Sequence, residues 1–193
     1  MNARLQKLMV LALAVVIGLA ALPSRSYAIG EAGTAYVTPE FGFYGTGQKA
    51  VNSYLTFGAS GGYFVIDGLS LGVEALAYSF DQKRVDSWRS DYTENPWAFG
   101  ANALIRYYPV RTDKAAFFIG TGIGGLFSND RIPFYSDGNK GNYSNVTLPV
   151  DVGFTVNMTQ NVSFELAGRY QRIGFDNSGI DGWGGHAGIR ISF

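Results

Sequence analysis

The sequence predicts an all-β protein: an eight-stranded antiparallel up-and-down transmembrane β-barrel behind a cleaved leader. Three observations predict it. Segments of ten or more residues alternate apolar with polar or small residues, the period of a strand with one greasy and one polar face. Aromatic residues recur at both ends of the greasy faces, where a barrel in a bacterial outer membrane carries its two girdles. The connections alternate between short turns and longer polar links. The terminal segment WGGHAGIRISF, Trp183 to Phe193, shows the pattern most cleanly. Trp183, Gly185, Ala187, Ile189, Ile191 and Phe193 share one face. Ten steps of roughly 3.3 Å, tilted by about 40°, rise roughly 25 Å, the height of the apolar band on such a barrel.

The leader is read from its charge and its break. Arg4 and Lys7 precede an uncharged apolar run from Leu8 to Leu22, Pro23 interrupts it, and Ser26-Tyr27-Ala28 gives a small-x-small cleavage pattern. Residues 1–28 are therefore expected to be a secretory signal peptide, and 29–193 one outer-membrane barrel domain. An uncleaved anchor is the alternative, with an apolar run short of the roughly 20 residues a bilayer needs. Three of the 15 basic residues, Arg4, Lys7 and Arg25, lie in the leader, leaving 12 basic against 15 acidic residues, a net of −3. That balance argues against a nucleic-acid partner. With 0 cysteines the chain has no disulfide framework, thiolate metal site or catalytic thiol. Its 26 glycines disfavour a helical fold.

The strands follow in order, bounded by turn residues. The first covers about Thr34 to Tyr44, with Ala35, Val37, Pro39, Phe41 and Phe43 facing outward. The second covers Ser53 to Ile66 and ends at the tight-turn pair Asp67-Gly68. The third is Leu69 to Phe80, and the fourth Pro96 to Tyr108, followed by a turn from Pro109 to Asp113. The fifth is Lys114 to Phe127 and the sixth Tyr143 to Asn157, before a turn at Thr159 to Asn161. The seventh is Val162 to Arg172, and the C-terminal segment is the eighth. Longer links fall at Gly45 to Asn52, Asp81 to Glu94, Ser128 to Asn142 and Phe175 to Gly182. Trp97, Phe99, Tyr107, Phe117, Phe127, Phe164, Tyr170, Trp183 and Phe193 are expected at the membrane interfaces.

The opposite parity points into the barrel and carries the charge: Glu40, Glu74, Asp151 and Glu165 against Arg106, Arg169 and Arg190. An eight-stranded interior is just wide enough to be filled by side chains, so these charges must pair. Similar heights on neighbouring strands predict the pairs Glu165–Arg190 and Glu74–Arg106. Small residues of that parity, among them Gly58, Ser60, Gly62, Gly120, Gly122 and Gly124, leave room for arginine and tyrosine side chains.

Together the leader, the segment ALIRYYPV (Ala103 to Val110), the glycine-rich FFIGTGIGG (Phe117 to Gly125) and the terminal GIRISF resemble the small outer-membrane barrel family, the OmpA/OmpX-like and opacity-type eight-stranded proteins. The resemblance implies a closed barrel in the bacterial outer membrane. It also implies that Ile189, Ile191 and Phe193 form the terminal signal read by the outer-membrane assembly machinery. It implies no particular activity, because that fold hosts structural proteins, adhesins, channels and lipid-modifying enzymes.

Other motifs carry little. Gly120 to Gly125 matches G-x-G-x-x-G, but the strand alternation runs through it to Phe127 where a dinucleotide site needs a helix. His186, the single histidine, has interior parity and no neighbouring hydroxyl, so a hydrolase built on it with Ser192, Ser163 and Glu165 is disfavoured. Asp176, Asn177 and Asp181, and Asp137 with Asn139, lack calcium-loop spacing. Triplets such as Asn142-Tyr143-Ser144 are chance matches to the glycosylation pattern. Lys83, Arg84 and Arg89, with Arg131 and Lys140, suit either lipopolysaccharide phosphates or plain solvation.

The reading is a porin-like but non-enzymatic cell-envelope protein with a structural or surface-interaction role, a filled lumen and four outer loops. A narrow passive channel for small or amphipathic solutes is the alternative, and a lipid-A-active enzyme a second. No cofactor or metal is expected. Outer-membrane lipid, lipopolysaccharide and the assembly machinery are the expected partners, and the sequence names no surface ligand.

Overall fold

A computed structural model describes residues 29–48, 51–86, 89–94, 96–128, 143–175 and 179–193. The leader expected at 1–28 lies outside them. Nine strands appear among the described residues: β1 (Ala35–Thr46), β2 (Val51–Ile66), β3 (Leu69–Asp86), β4 (Arg89–Glu94), β5 (Trp97–Arg111), β6 (Ala115–Ser128), β7 (Tyr143–Asn157), β8 (Val162–Ile173) and β9 (Ile180–Ser192). Eight of them close a barrel of wholly antiparallel neighbours, β1-β2-β3-β5-β6-β7-β8-β9, with β9 returning to β1. Closure leaves no free edge, which a strand in hydrocarbon requires because lipid cannot bond an open backbone.

The ninth strand corrects one reading of the sequence. The stretch Asp81 to Glu94 was expected as a loop because its charge hides any alternation. Instead β3 runs on to Asp86 and β4 folds back on it, pairing Gln82 with Glu94 and Asp86 with Arg89. Backbone pairing by itself needs no alternation of apolar and polar residues. The last strand also starts earlier than its pattern suggests, at Ile180, where Ile173 pairs with it.

Local chemistry sets the ends and irregularities. Asp67-Gly68 turns β2 into β3 with Gly68 at φ 77, a left-handed conformation that favours glycine. Pro109 falls where the β5–β6 register slips between Tyr107 and Val110. Pro39 and Pro149 lack an N–H, and the ladders β1–β9 and β6–β7 each skip two pairs around them.

The alternation places each face as predicted. On β5 the odd residues from Trp97 to Tyr107 are exposed and the even residues from Ala98 to Tyr108 buried. Val73, Phe99, Ile123 and Trp183 are each at least 60% exposed, whereas Glu165, Thr155 and Gln171 are fully buried. Ile191 and Ala77 are shielded despite outward parity: Ala77 lies in register between the larger Phe57 and Phe99, and Ile191 between Val37 and Val162. This molecule is oily outside and ionic within.

Candidate functional site in the barrel lumen

Along the barrel axis the lumen has three layers. At the long-loop end Tyr44, Tyr54, Tyr78 and Phe80 pack with Val51, Leu76, Leu126, Ile173 and Ile180. Tyr44 stacks on Tyr54 at 4.8 Å between ring centroids, and Phe80 lies 5.3 Å from Tyr54. Their hydroxyls are placed: Gln171 accepts from Tyr54 at 3.4 Å and donates to Tyr78 at 2.9 Å. Glycine makes the space, since a Cβ at Gly100 would sit 2.8 Å from the Tyr78 ring.

At the short-turn end Tyr36, Phe64, Tyr108 and Phe118 form a second aromatic layer, closed from below by Ile29. Phe64 meets Tyr108 edge-on at 5.2 Å. The segment 29–33 crosses this mouth and is tied down. Gly30 O accepts from Gly68 N at 2.7 Å and from Arg111 Nη1 at 2.9 Å. Gly33 N donates to Phe64 O at 2.8 Å, and Ala32 N to Asp67 Oδ1 at 2.8 Å.

Between the layers lies an ionic belt. Arg169 donates to both oxygens of Asp151, at 2.6 and 3.0 Å, and to Glu74 Oε2 at 2.6 Å. Arg106 reaches across from β5 to Glu165 Oε1 on β8 at 3.0 Å, with Asp151 3.7 Å away. Arg190 donates to the other oxygen of Glu165 and to the Tyr108 hydroxyl, the latter at 2.6 Å. Its guanidinium lies 4.1 Å from the centre of the Tyr36 ring, a cation–π contact. Asn102 donates to Glu74 at 2.8 Å and accepts from Thr147. Gly120 clears the path of Arg106, whose Cγ would lie 2.8 Å from a Cβ there.

Glu165 meets Arg190. Glu74 and Arg106 do not meet: Glu74 goes to Arg169, and Arg106 to Glu165 and Asp151. Equal height on adjacent strands is a poor guide where long side chains cross an interior. Glu40 meets none of the three arginines in an ion pair among the described residues. It accepts from Ser60 at 3.3 Å and faces His186 Nε2 at 3.9 Å. Sequence reasoning also passed over the apolar members of the two lids, Phe64, Phe80, Phe118 and Leu126. Their inward parity was the signal, masked by apolar neighbours such as Phe117 and Phe127.

Of the expected interface aromatics, Trp97, Phe99, Tyr107, Phe117, Phe127, Phe164, Trp183 and Phe193 are exposed on the outer wall. Tyr170 is half-buried against Trp183 at 4.5 Å, its hydroxyl bonding Asp181 at 2.6 Å. The side chains of Lys83, Arg84, Arg89, Arg131, Asp137, Asn139, Lys140, Asp176 and Asn177 fall outside the described residues.

A family model described as the outer membrane protein beta-barrel domain matches residues 9–192. The chain belongs to this family. Its place is the bacterial outer membrane, with the short turns and both described ends of the barrel chain toward the periplasm. A search of curated proteins finds no match. Among solved structures the fold is similar to Neisserial surface protein A, at 18% identity and TM-score 0.60, covering 83% of this chain and 99% of that one. It is also similar to the N-terminal β-barrel domain of Pseudomonas aeruginosa OprF, at 14% identity and TM-score 0.57, covering 84% and 98%. The outer membrane protein OprG of the same organism gives 14% identity and TM-score 0.59, covering 84% and 97%. Likeness at this identity speaks to the fold of an outer-membrane barrel.

Proposed function

We propose that this outer-membrane barrel is neither a pore nor an enzyme, and that it serves a structural or surface-interaction role through its outer loops. The observation that supports this most directly is the ionic belt held between two aromatic lids. An ion crossing the lumen would have to part the Tyr44–Tyr54–Tyr78 layer, break bonds of Arg106, Arg169 and Arg190, and then displace the Phe64–Tyr108 layer. Removing one partner of such a buried pair costs about 3–5 kcal/mol, and a conducting path would need several of these pairs broken together. His186 supports the absence of catalysis: it is buried, and its described hydrogen-bond partner is the Tyr44 hydroxyl at 3.4 Å, not a serine. The apolar outer wall takes lipid, and the outer rim takes lipopolysaccharide. The terminal strand with Ile189, Ile191 and Phe193 is the segment offered to the assembly machinery.

Planar-bilayer recording tests this reading. The purified barrel is expected to insert without discrete current steps. Reproducible single-channel steps would replace it with the narrow-channel alternative, and altered lipid A on mass spectra of expressing cells would replace it with the enzymatic one.

A further inference from the structure

The belt holds one more acid than it has arginines. Four acids, Glu40, Glu74, Asp151 and Glu165, face Arg106, Arg169 and Arg190 among the described residues, and all of them are buried. Arg169 serves Asp151 and Glu74, while Arg106 and Arg190 serve Glu165. Glu40 has no arginine of its own in that set. It is 7% exposed, and its Oε2 accepts from the Ser60 hydroxyl at 3.3 Å. No N–H or hydroxyl of a described neighbour reaches its Oε1. With all four acids ionised the lumen would carry one uncompensated negative charge out of reach of water, a costly state. Three acids against three arginines balance.

The surroundings of Glu40 say where the charge is cancelled. Ser60, which bonds Glu40, stands opposite Glu74 in the β2–β3 register. The Glu40 and Glu74 carboxyls lie within hydrogen-bond reach of each other. Two carboxylates cannot form that bond, because neither has a proton to donate. A carboxylic acid and a carboxylate can, and like charges at such a distance oppose a second ionisation. Glu74 is the better anion: Arg169 donates to its Oε2 at 2.6 Å and Asn102 to its Oε1 at 2.8 Å, and each oxygen keeps a further lone pair. Glu40 is the better acid, since the donor it receives is a neutral hydroxyl. The other place for a proton is His186, whose Nε2 lies 3.9 Å from Glu40 Oε2. That gap exceeds a hydrogen bond, so a proton on Nε2 would have no acceptor among the described residues.

We propose that Glu40 is kept as a neutral carboxylic acid whose O–H donates to Glu74, so that one retained proton ties β1 to β3 across β2 and balances the belt at three acids to three arginines. The titratable and charged groups facing Glu40 are Tyr44 on its own strand, Glu74 on β3, Arg106 on β5, Glu165 and Arg169 on β8, and His186 on β9. The retained proton makes the barrel sensitive to alkali. In the unfolded chain Glu40 is an ordinary glutamate, with a pKa of about 4.3, and is ionised at neutral pH, so folding takes up one proton there. Stability then falls as pH rises, until the folded barrel gives up the proton as well. The pair sits beside the seam where the first strand closes on the last, because Glu40 stands opposite Gly188 of β9. Loss of the proton sets two carboxylates against each other at that seam.

Infrared spectra of the full barrel domain in detergent micelles at about pH 8, where exposed carboxyls are ionised, test the proposal. The wild type is expected to show the carbonyl stretch of one protonated carboxylic acid, and Glu40→Gln to lack it. Glu74→Gln is expected to lose the band too, although Glu40 is still present, because Glu40 then becomes the third anion the arginines need. Urea unfolding reads the linkage. Between about pH 7 and 9, above the range of a free histidine, the wild-type midpoint is expected to fall and the Glu40→Gln midpoint to stay level. The proposal is overturned by a wild type without the band, by a band that survives either substitution, or by midpoints that fall equally. It is also overturned by imidazole nitrogen-15 signals showing both nitrogens of His186 protonated at that pH. If Glu74→Gln fails to refold, Glu40→Gln, which keeps a donor toward Glu74, decides the matter alone.

Discussion

Val152 and Asp151 are consecutive residues on β7, and nearly everything about their surroundings differs. Val152 faces outward, with Ile119 and Gly168 beside it in register, and nearly half its surface is open to lipid. Asp151 faces inward, fully buried, bonded twice by Arg169 and approached by Arg106. The outer face specifies a class of residue, because lipid is an undemanding neighbour. The inner face specifies individual partners, because each buried charge needs a particular donor or acceptor.

The sharpest way to break this comparison is Glu165→Ala. It leaves Arg106 and Arg190 facing each other without their shared acid and is expected to cost about 3–5 kcal/mol. Urea unfolding in micelles, read by the unheated gel shift, measures it; an unmoved midpoint would mean the belt contributes nothing to stability. Next comes Val152→Arg, a charge on the lipid face near mid-height, expected to cost about 2–4 kcal/mol. Val152→Leu in the same assay is expected to cost less than about 1.5 kcal/mol. Comparable losses from the two would show that this face does not meet hydrocarbon.

The smallest effect tests the lower lid. Deleting residues 29–33 removes the burial of Ile29, worth about 1.5–3 kcal/mol, and opens the periplasmic mouth. The chain has 0 cysteines, so Ala116→Cys, 2% exposed in that lid, reports on access. A charged thiol reagent should label it slowly in the intact barrel and much faster in the deletion. Equal rates would mean the segment does not seal the mouth.

The same contrast explains what could be read in advance. Strand number, parity and the lipid-facing set were legible because period two is a property of each segment alone. The short turn at Asp67-Gly68 was legible from its two residue types. The partners within the belt were not, because Arg106 chooses among acids on strands far along the chain, and closure and stagger decide which it reaches. The approach of His186 to Glu40 follows the same rule: the two are separated by most of the domain and match no spacing motif. The β3–β4 ribbon was missed for the opposite reason, since its charge-rich segments show no period-two alternation.

That ribbon has a mechanical consequence. Strand β3 has 18 residues, roughly 60 Å of extended chain, which at a tilt of about 40° climbs roughly 45 Å against an apolar band of about 25 Å. Its lower end is held at the periplasmic turn, so the surplus height is all on the outside. The backbone ladder of β3 and β4 thus carries the barrel wall well beyond the apolar band, on the side facing the medium.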